Sequence, residues 1–324
     1  LPWREDSSPY RVWISEIMLQ QTRVEAVKPY FERFLAALPD LASLAAAPEE
    51  QLLKLWEGLG YYSRVRNLAR CARIILQEHG GRFPASAEEL RRLPGIGEYT
   101  AGAIASISFG LPEPAVDGNV LRVAARLTGY TGEVTQPRYR KTVAEKLRAV
   151  YPAGRCGDFT QSLMELGAVV CLPNGAPKCS LCPLAELCEG RRAGSAAEIP
   201  MRAPKKPRRI ERRSVFLLCC GEQVALRKRP PEGLLAGLWE FPALEGAFEA
   251  SRLAELGIPP ETPVRRVGSA RHVFTHLEWE MQGYLVELPQ PPAGFEWVTR
   301  EELEERISLP SAFRAFRRFL LTGK

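Results

Sequence analysis

The chain has 324 residues, with 44 Lys plus Arg against 38 Asp plus Glu, a net charge of +6 at pH 7 and only three histidines. At roughly 150 residues per domain the length suggests two domains, and 45% apolar with 25% charged residues excludes wholesale disorder and low-complexity architecture. The longest uncharged run, Tyr99 to Pro112, has 14 residues, short of the ~18 to 20 that a membrane-spanning helix needs, so no membrane partner is expected. The opening Leu1-Pro2-Trp3-Arg4-Glu5-Asp6 lacks the basic-then-apolar pattern of a secretory signal and an initiator Met. The expectation is an intracellular protein missing some of its N-terminus.

From Pro9 to Val170 apolar residues recur at three and four spacing, as in Val12, Trp13, Ile17 and Leu19 and again in Leu68, Ala72, Ile75 and Leu76. Pro39, Pro48, His79-Gly80-Gly81, Pro94-Gly95 and Pro112-Glu113-Pro114 cut the pattern into ordinary lengths. This predicts an all-helical domain over 1–195, including a cysteine loop at 171–188. Residues 196–213 read as a linker: Met201 to Arg213 carries seven basic residues, one acid and two prolines. Residues 214–324 read as an α+β domain. Its strands are expected at Ser214 to Cys220, Gln223 to Lys228, His272 to Thr275 and Glu280 to Leu288, and its helices at Phe248 to Leu256 and Ser311 to Leu321.

Four segments carry chemistry. Glu16 has Val12, Trp13, Leu19 and Gln20 as its helical neighbours; on so apolar a face a carboxyl loses solvation and its pKa rises, which suits a general acid, while the alternative is an exposed Glu on an amphipathic helix. Leu93-Pro94-Gly95-Ile96-Gly97 lies between a predicted helix from Ala87 to Arg92 and another from Glu98 to Ser108. A hairpin of this kind presents backbone N–H groups to a DNA phosphate, through Leu93, Gly95 and Gly97, or is only a turn. Asp117 stands where a helix through Leu127 should start, a plain N-cap or a carboxylate held beside a developing cation. Of eight cysteines, Cys171, Cys179, Cys182 and Cys188 fall within 18 residues, which reads as a metal or cluster site rather than a disulfide framework. Four thiolates suit 4Fe–4S or tetrahedral zinc, and spacing alone leaves both open. A zinc nucleobase deaminase is disfavoured, because no His-x-Glu precedes the cysteine pair.

Together these residues resemble the helix–hairpin–helix DNA glycosylase superfamily, and within it the MutY-type adenine DNA glycosylases. The likeness rests on Ser15-Glu16-Ile17-Met18-Leu19-Gln20-Gln21-Thr22, Gly58-Leu59-Gly60-Tyr61-Tyr62-Ser63-Arg64, Leu93 to Thr100, Val116 to Val120 and the cysteine cluster, in that order. It implies a monofunctional base-excision repair enzyme, acting as a monomer on duplex DNA that carries adenine opposite 8-oxoguanine or guanine. In the cell it would be cytoplasmic, at the nucleoid, or nuclear or mitochondrial in a eukaryote. By resemblance Glu16 protonates the flipped adenine and Asp117 stabilises or captures the oxocarbenium-like sugar. Tyr99 and Asn119 match positions on the sugar side, and Trp3, Arg4, Leu19 and Gln161 match positions around the adenine. Gln21, Thr22, Leu59 and Tyr61 match the wedge that enters the duplex and meets the orphaned base. Endonuclease III relatives carry a hairpin Lys that forms a Schiff base, whereas a Tyr at 99 offers no amine, so strand cleavage is not expected. The resemblance also implies a 4Fe–4S cofactor on the four cysteines, positioning basic residues for DNA without redox chemistry. One departure is the seven residues, Leu172 to Lys178, between the first two cysteines where the family usually has six.

The second domain resembles a Nudix-like module, most strongly in Gly233-Leu234-Leu235-Ala236-Gly237-Leu238-Trp239-Glu240-Phe241-Pro242. Ala250, Ser251 and Ala254 replace three places of the magnesium-binding run and only Glu255 remains, so hydrolysis is not expected. The resemblance implies that this module reads 8-oxoguanine through the loop holding Phe274, Thr275 and His276, with Thr275 in place of the usual Ser. Two rivals stand: a mismatch thymine glycosylase, which also carries Tyr in the hairpin but generally lacks the second module, and a catalytically silent lesion-binding protein, against which Glu16 and Asp117 argue.

Overall fold

The computed structural model describes residues 1–201 and 207–323. They form two compact units, and the division is not the one expected from the sequence: one unit holds 1–47 and 66–204, the other 48–65 and 205–324. Residues 48–65 therefore belong with the C-terminal sheet, although nothing in their short amphipathic pattern sets them apart from the helices on either side.

The first unit is helical, as predicted. It contains α1 (Pro9–Leu19), α2 (Val24–Ala37) and α3 (Leu41–Ala46); α4 (Glu49–Leu55) lies in the second unit, and α5 (Ser63–Glu78) follows. Then come α6 (Ala87–Leu90), α7 (Glu98–Phe109), α8 (Gly118–Leu127), α9 (Pro137–Arg148), α10 (Cys156–Glu165) and the single turn α11 (Glu189–Arg192). The core is made by Trp13, Ile14, Met18, Phe31, Phe34, Leu68 and Ile104, all essentially inaccessible to water. α7 is buried on every side, and α1 and α10 both lie against it. Gly102 lets the backbone at Pro114 cross close against α7, since a Cβ there would stand 2.3 Å from the Pro114 carbonyl oxygen. Among the described residues no helix is long and apolar enough to cross a membrane.

The second unit is a seven-stranded mixed sheet of order β3-β2-β1-β6-β5, with β4 on β1 and β7 on β2. The strands are β1 (Arg209–Cys220), β2 (Gln223–Lys228), β3 (Trp239–Glu240), β4 (Ala243–Glu245), β5 (Arg265–Val273), β6 (Leu277–Glu287) and β7 (Glu296–Thr299), with α12 (Arg300–Glu305) and α13 (Arg314–Thr322) at the end. Every residue from Ser214 to Cys219 is buried, because both faces of β1 are covered. Val215 and Leu217 join Phe241, Trp279, Phe313 and Phe316 on one face, while Phe216 and Leu218 join Leu244, Leu253 and Val286 on the other.

Three expectations are corrected here. The linker expected over 196–213 stops short of Arg209, because Arg209 to Arg213 are the first half of β1, paired in parallel with Leu277 to Met281. Their charges look like a solvated run, yet Arg209 and Arg213 pair with Glu211 and Arg212 pairs with Glu280. Lys205 and Lys206 lie outside the described residues. The predicted strand over His272 to Thr275 ends at Val273, and 274–276 is the tight loop joining β5 to β6. The predicted helix from Phe248 is a 3₁₀ segment, Ala250–Leu256.

Candidate active site

α1 begins with Pro9 at its first position, where the missing N–H costs nothing. Apart from Arg11, its residues from Tyr10 to Met18 are buried, so Glu16 points into the protein and is 2% exposed. Burial pushes its carboxyl above the ordinary range; the Tyr99 hydrogen bond and the Arg4 charge pull it back, and Asp117 raises it further. The exposed-surface alternative for Glu16 is thereby excluded.

Tyr99, in the first turn of α7, donates its phenol to Glu16 Oε2 at 2.5 Å and lies 3.7 Å from Met164 Sδ. Burial, with the Glu16 charge beside it, holds the phenol well above its ordinary pKa, so it remains a protonated donor. Asp117 is the N-cap of α8: its Oδ1 accepts from the Val120 N–H at 2.8 Å, and its Oδ2 accepts from Asn119 Nδ2 at 2.7 Å. The N-cap reading of Asp117 holds, and the same cap fixes the carboxyl whose charge bears on Glu16. Arg122, 7% exposed, extends the chain of contacts by donating to Asn119 Oδ1 at 2.9 Å, to the Gly167 carbonyl at 2.7 Å and to the Cys171 carbonyl at 2.9 Å. The site is therefore a buried proton-donor candidate, Glu16, facing the half-buried carboxyl that caps α8, Asp117.

The hairpin is built as expected. Gly95 has φ +77°, and a Cβ there would meet Asn67 Cβ at 2.9 Å, so only glycine suits the position. Gly97 is the N-cap of α7 with no side-chain cap, which leaves the helix start open to a phosphate. Leu93 is buried beneath the turn.

The remaining expected residues divide. Arg4 bears on Glu16 electrostatically and pairs with Glu165 at 3.4 Å. Trp3 is 2% exposed and meets Phe31 edge-on at 5.5 Å, which makes it a packing residue of the N-terminal turn. Leu19 ends α1, and Gln161 lies on α10 one turn before Met164. Gln21 and Tyr61 are two of the three non-glycine residues at positive φ among the described residues, at 56° and 48°, a strain that clusters at functional positions. Thr22 bonds to the Gln20 carbonyl at 3.3 Å. Leu59 and Tyr61 fall in the second unit, with Phe274, Thr275 and His276. There the Tyr61 and Thr275 hydroxyls lie 2.8 Å apart. Phe274 is held edge-on by His272 and Trp279 at 4.5 and 4.9 Å, so its ring anchors the loop that exposes Thr275 and His276.

Arg122 and Met164 are not among the residues the sequence singles out; the signal for Arg122 is its place one turn after Asn119 on a helix whose one other charged residue is Arg126. In the second unit Glu255 is held by Arg252 at 2.6 and 3.2 Å, which leaves the lone survivor of the magnesium run engaged.

Cys171, Cys179, Cys182 and Cys188 line one cavity with Arg126 and Arg191. None of the four is in a disulfide, and Arg126 Nη1 donates to Cys171 Sγ at 3.2 Å. Among the described residues no three His, Cys, Asp or Glu side chains are grouped so as to hold a metal ion; what the four cysteines share is the lining of that one cavity. Gly175, at φ +73°, lies in the longer first loop.

Residues 14–149 match the family model described as HhH-GPD superfamily base excision DNA repair protein, and 214–318 match the NUDIX domain. The chain is 35% identical to the adenine DNA glycosylase of Homo sapiens over 98% of its own length and 70% of that protein. It is 34% identical to that of Buchnera aphidicola subsp. Schizaphis graminum, over 89% and 83%. Among solved structures it is similar to a thermostable thymine-DNA glycosylase, with TM-score 0.55, 30% identity and coverage of 60% of this chain and 88% of that one. A non-covalent endonuclease III–DNA complex gives TM-score 0.51 at 25% identity, over 58% and 86%.

Proposed function

Since the chain belongs to the adenine DNA glycosylase family, we propose that it removes adenine mispaired with 8-oxoguanine or guanine from duplex DNA by acid-assisted hydrolysis. The observation that carries this reading is the buried Glu16 carboxyl, hydrogen-bonded by Tyr99 and facing the charge of Asp117. The adenine is flipped from the stack, because its glycosidic bond is otherwise out of reach. Glu16 gives its proton to a ring nitrogen of the base; the C1′–N9 bond breaks, and its electron pair leaves with neutral adenine. Asp117 faces the cationic sugar that remains. A water oxygen then bonds to C1′, and the proton it loses returns to the Glu16 carboxylate. Tyr99 orients Glu16 and, having no amine, starts no β-elimination, so the product strand stays intact until alkali or heat is applied.

The four cysteines are the residues that would hold a 4Fe–4S cluster, whose contribution is to brace the loop rather than to carry electrons. Thr275, His276 and Tyr61 would face the 8-oxoguanine strand, and the hairpin glycines a phosphate of the other. The deciding assay is base release by the purified monomer from duplexes with A opposite 8-oxoguanine, A opposite G, and T opposite G. Release of adenine from the first two supports the reading. Release of thymine, or of no base at all, overturns it.

A further inference from the structure

The loop that carries Leu59 and Tyr61 follows α4 and turns on left-handed backbone, with Gly58 at φ 101° and Gly60 at 70°, and with Tyr61, a non-glycine strained by it, at 48°. Such a loop holds its shape only where its surroundings over-determine it. From within, Arg64 donates to the carbonyls of Leu59 and Gly60 at 2.9 and 3.0 Å, and Trp56 Nε1 donates to that of Gly60 at 3.1 Å. At the loop's base a second set of bonds ties it to the far end of the chain. Arg317 on α13 donates to Glu57 Oε1 at 2.6 Å, and the Leu309 N–H donates to the same oxygen at 3.1 Å. Lys54 pairs with Glu57 Oε2 at 3.1 Å and donates to the Glu304 and Ile307 carbonyls at 2.6 and 3.1 Å. The buried Ser308 hydroxyl donates to the Leu53 carbonyl at 3.0 Å. Glu57 and Arg317 are only 19% and 18% exposed, so their attraction is weakly screened.

We propose that the Glu57–Arg317 pair is a clasp that positions the partner-base reading loop, fixing Tyr61 against Thr275, and that Arg317 is therefore a positioning residue for discrimination between 8-oxoguanine and guanine. This rests on the proposed function above. The geometry behind it is a lever. One end of the loop is bonded to α13 and the segment before it, the other to the β5–β6 loop through the two hydroxyls. Both proposed readers of the lesion strand thus belong to one compact unit. Cutting the clasp leaves the chemistry of Glu16 and Asp117 untouched, because neither Glu57 nor Arg317 belongs to that site.

The test uses the full chain and compares Arg317→Met, Arg317→Lys, Glu57→Gln and the Glu57→Gln/Arg317→Met double variant, with Phe274→Ala/Thr275→Ala as the reference for direct reading. Two quantities are read: the ratio of single-turnover adenine release opposite 8-oxoguanine to that opposite guanine, and amide hydrogen exchange over residues 56–62. Arg317→Met is expected to lower the ratio roughly five- to tenfold, the scale of one charge-assisted pair, while release opposite guanine stays within about twofold and exchange in the loop accelerates. Lys at 317 should restore part of the ratio, and the double variant should be no worse than the worse single one. An unchanged ratio in Arg317→Met and Glu57→Gln, with the Phe274/Thr275 variant impaired, overturns the clasp and leaves the lesion-reading assignment standing. An unchanged ratio in all variants, the reference included, overturns that assignment and the clasp with it. If Arg317→Met does not fold, Glu57→Gln, which keeps the shape and a hydrogen bond, decides by the same two readouts.

Discussion

Glu16 sits where stability and chemistry pull in opposite directions. Its folded-state pKa is raised by burial, so folding favours the protonated form. The stability this contributes is complete below the ordinary Glu value of about 4.3 and is lost as pH rises through the raised one. Glu16→Gln should abolish adenine release, keep duplex binding, and be more stable than the parent near neutrality, with a gap in thermal midpoint that widens as pH rises above the ordinary Glu value; retention of most single-turnover activity would refute its role. Because the acid must be protonated, the parent's rate should fall on the alkaline side. Tyr99→Phe removes a hydrogen bond that lowers the Glu16 pKa, so it should move that limb to higher pH, which a pH–rate profile reads directly. For Asp117→Asn, capping of α8 survives but the anion does not, and the rate should drop by about 10²-fold or more. An unimpaired rate would reduce Asp117 to a cap. Glu16 and Asp117 were legible because each announces itself locally, in an apolar helical face and at a helix start. Arg122 was not, since its partners Gly167 and Cys171 lie 45 and 49 residues away in sequence.

Among the elements, the hairpin and the cysteine loop make separable demands. Gly95→Ala must strain a backbone at φ +77° and displace Asn67. It should cost about 1–3 kcal/mol and weaken duplex binding more than it slows chemistry at saturating DNA, as thermal melts and titrations would register. The cysteine loop should carry about four iron atoms per chain and a yellow-brown colour, as expected of a cubane cluster; one zinc and no iron on metal analysis would reassign it. Local pattern found the hairpin, α8 and β2 almost to the residue. It failed on the first half of β1, whose Arg209, Arg212 and Arg213 spell a linker by composition. What makes that stretch a strand is pairing with Leu277 to Met281, a long-range fact that no window of neighbouring residues contains.

At the scale of the whole molecule, the division into units changes what a truncation means. Removing 214–324 should lower the preference for 8-oxoguanine over guanine while sparing base excision, as measured by the two release rates. Leu59 and Tyr61 would lose their supports in the same stroke, so the deletion cannot apportion reading between the two loops, and the point variants are needed for that. The family model over 14–149 runs straight through residues 48–65, and sequence similarity alone would never have assigned them to the sheet. That assignment also orders events in time. Glu57 and Arg317 are 260 positions apart, and between them in sequence lie residues 66–204, which belong with 1–47 to the other unit. During synthesis the helical unit can close around its core while 48–65 is still waiting for partners that leave the ribosome last. The loop proposed to meet the lesion is then among the final pieces to reach its place, and a chain stalled before α13 would have Glu16 and Asp117 assembled and its proposed reader of the opposite base still unformed.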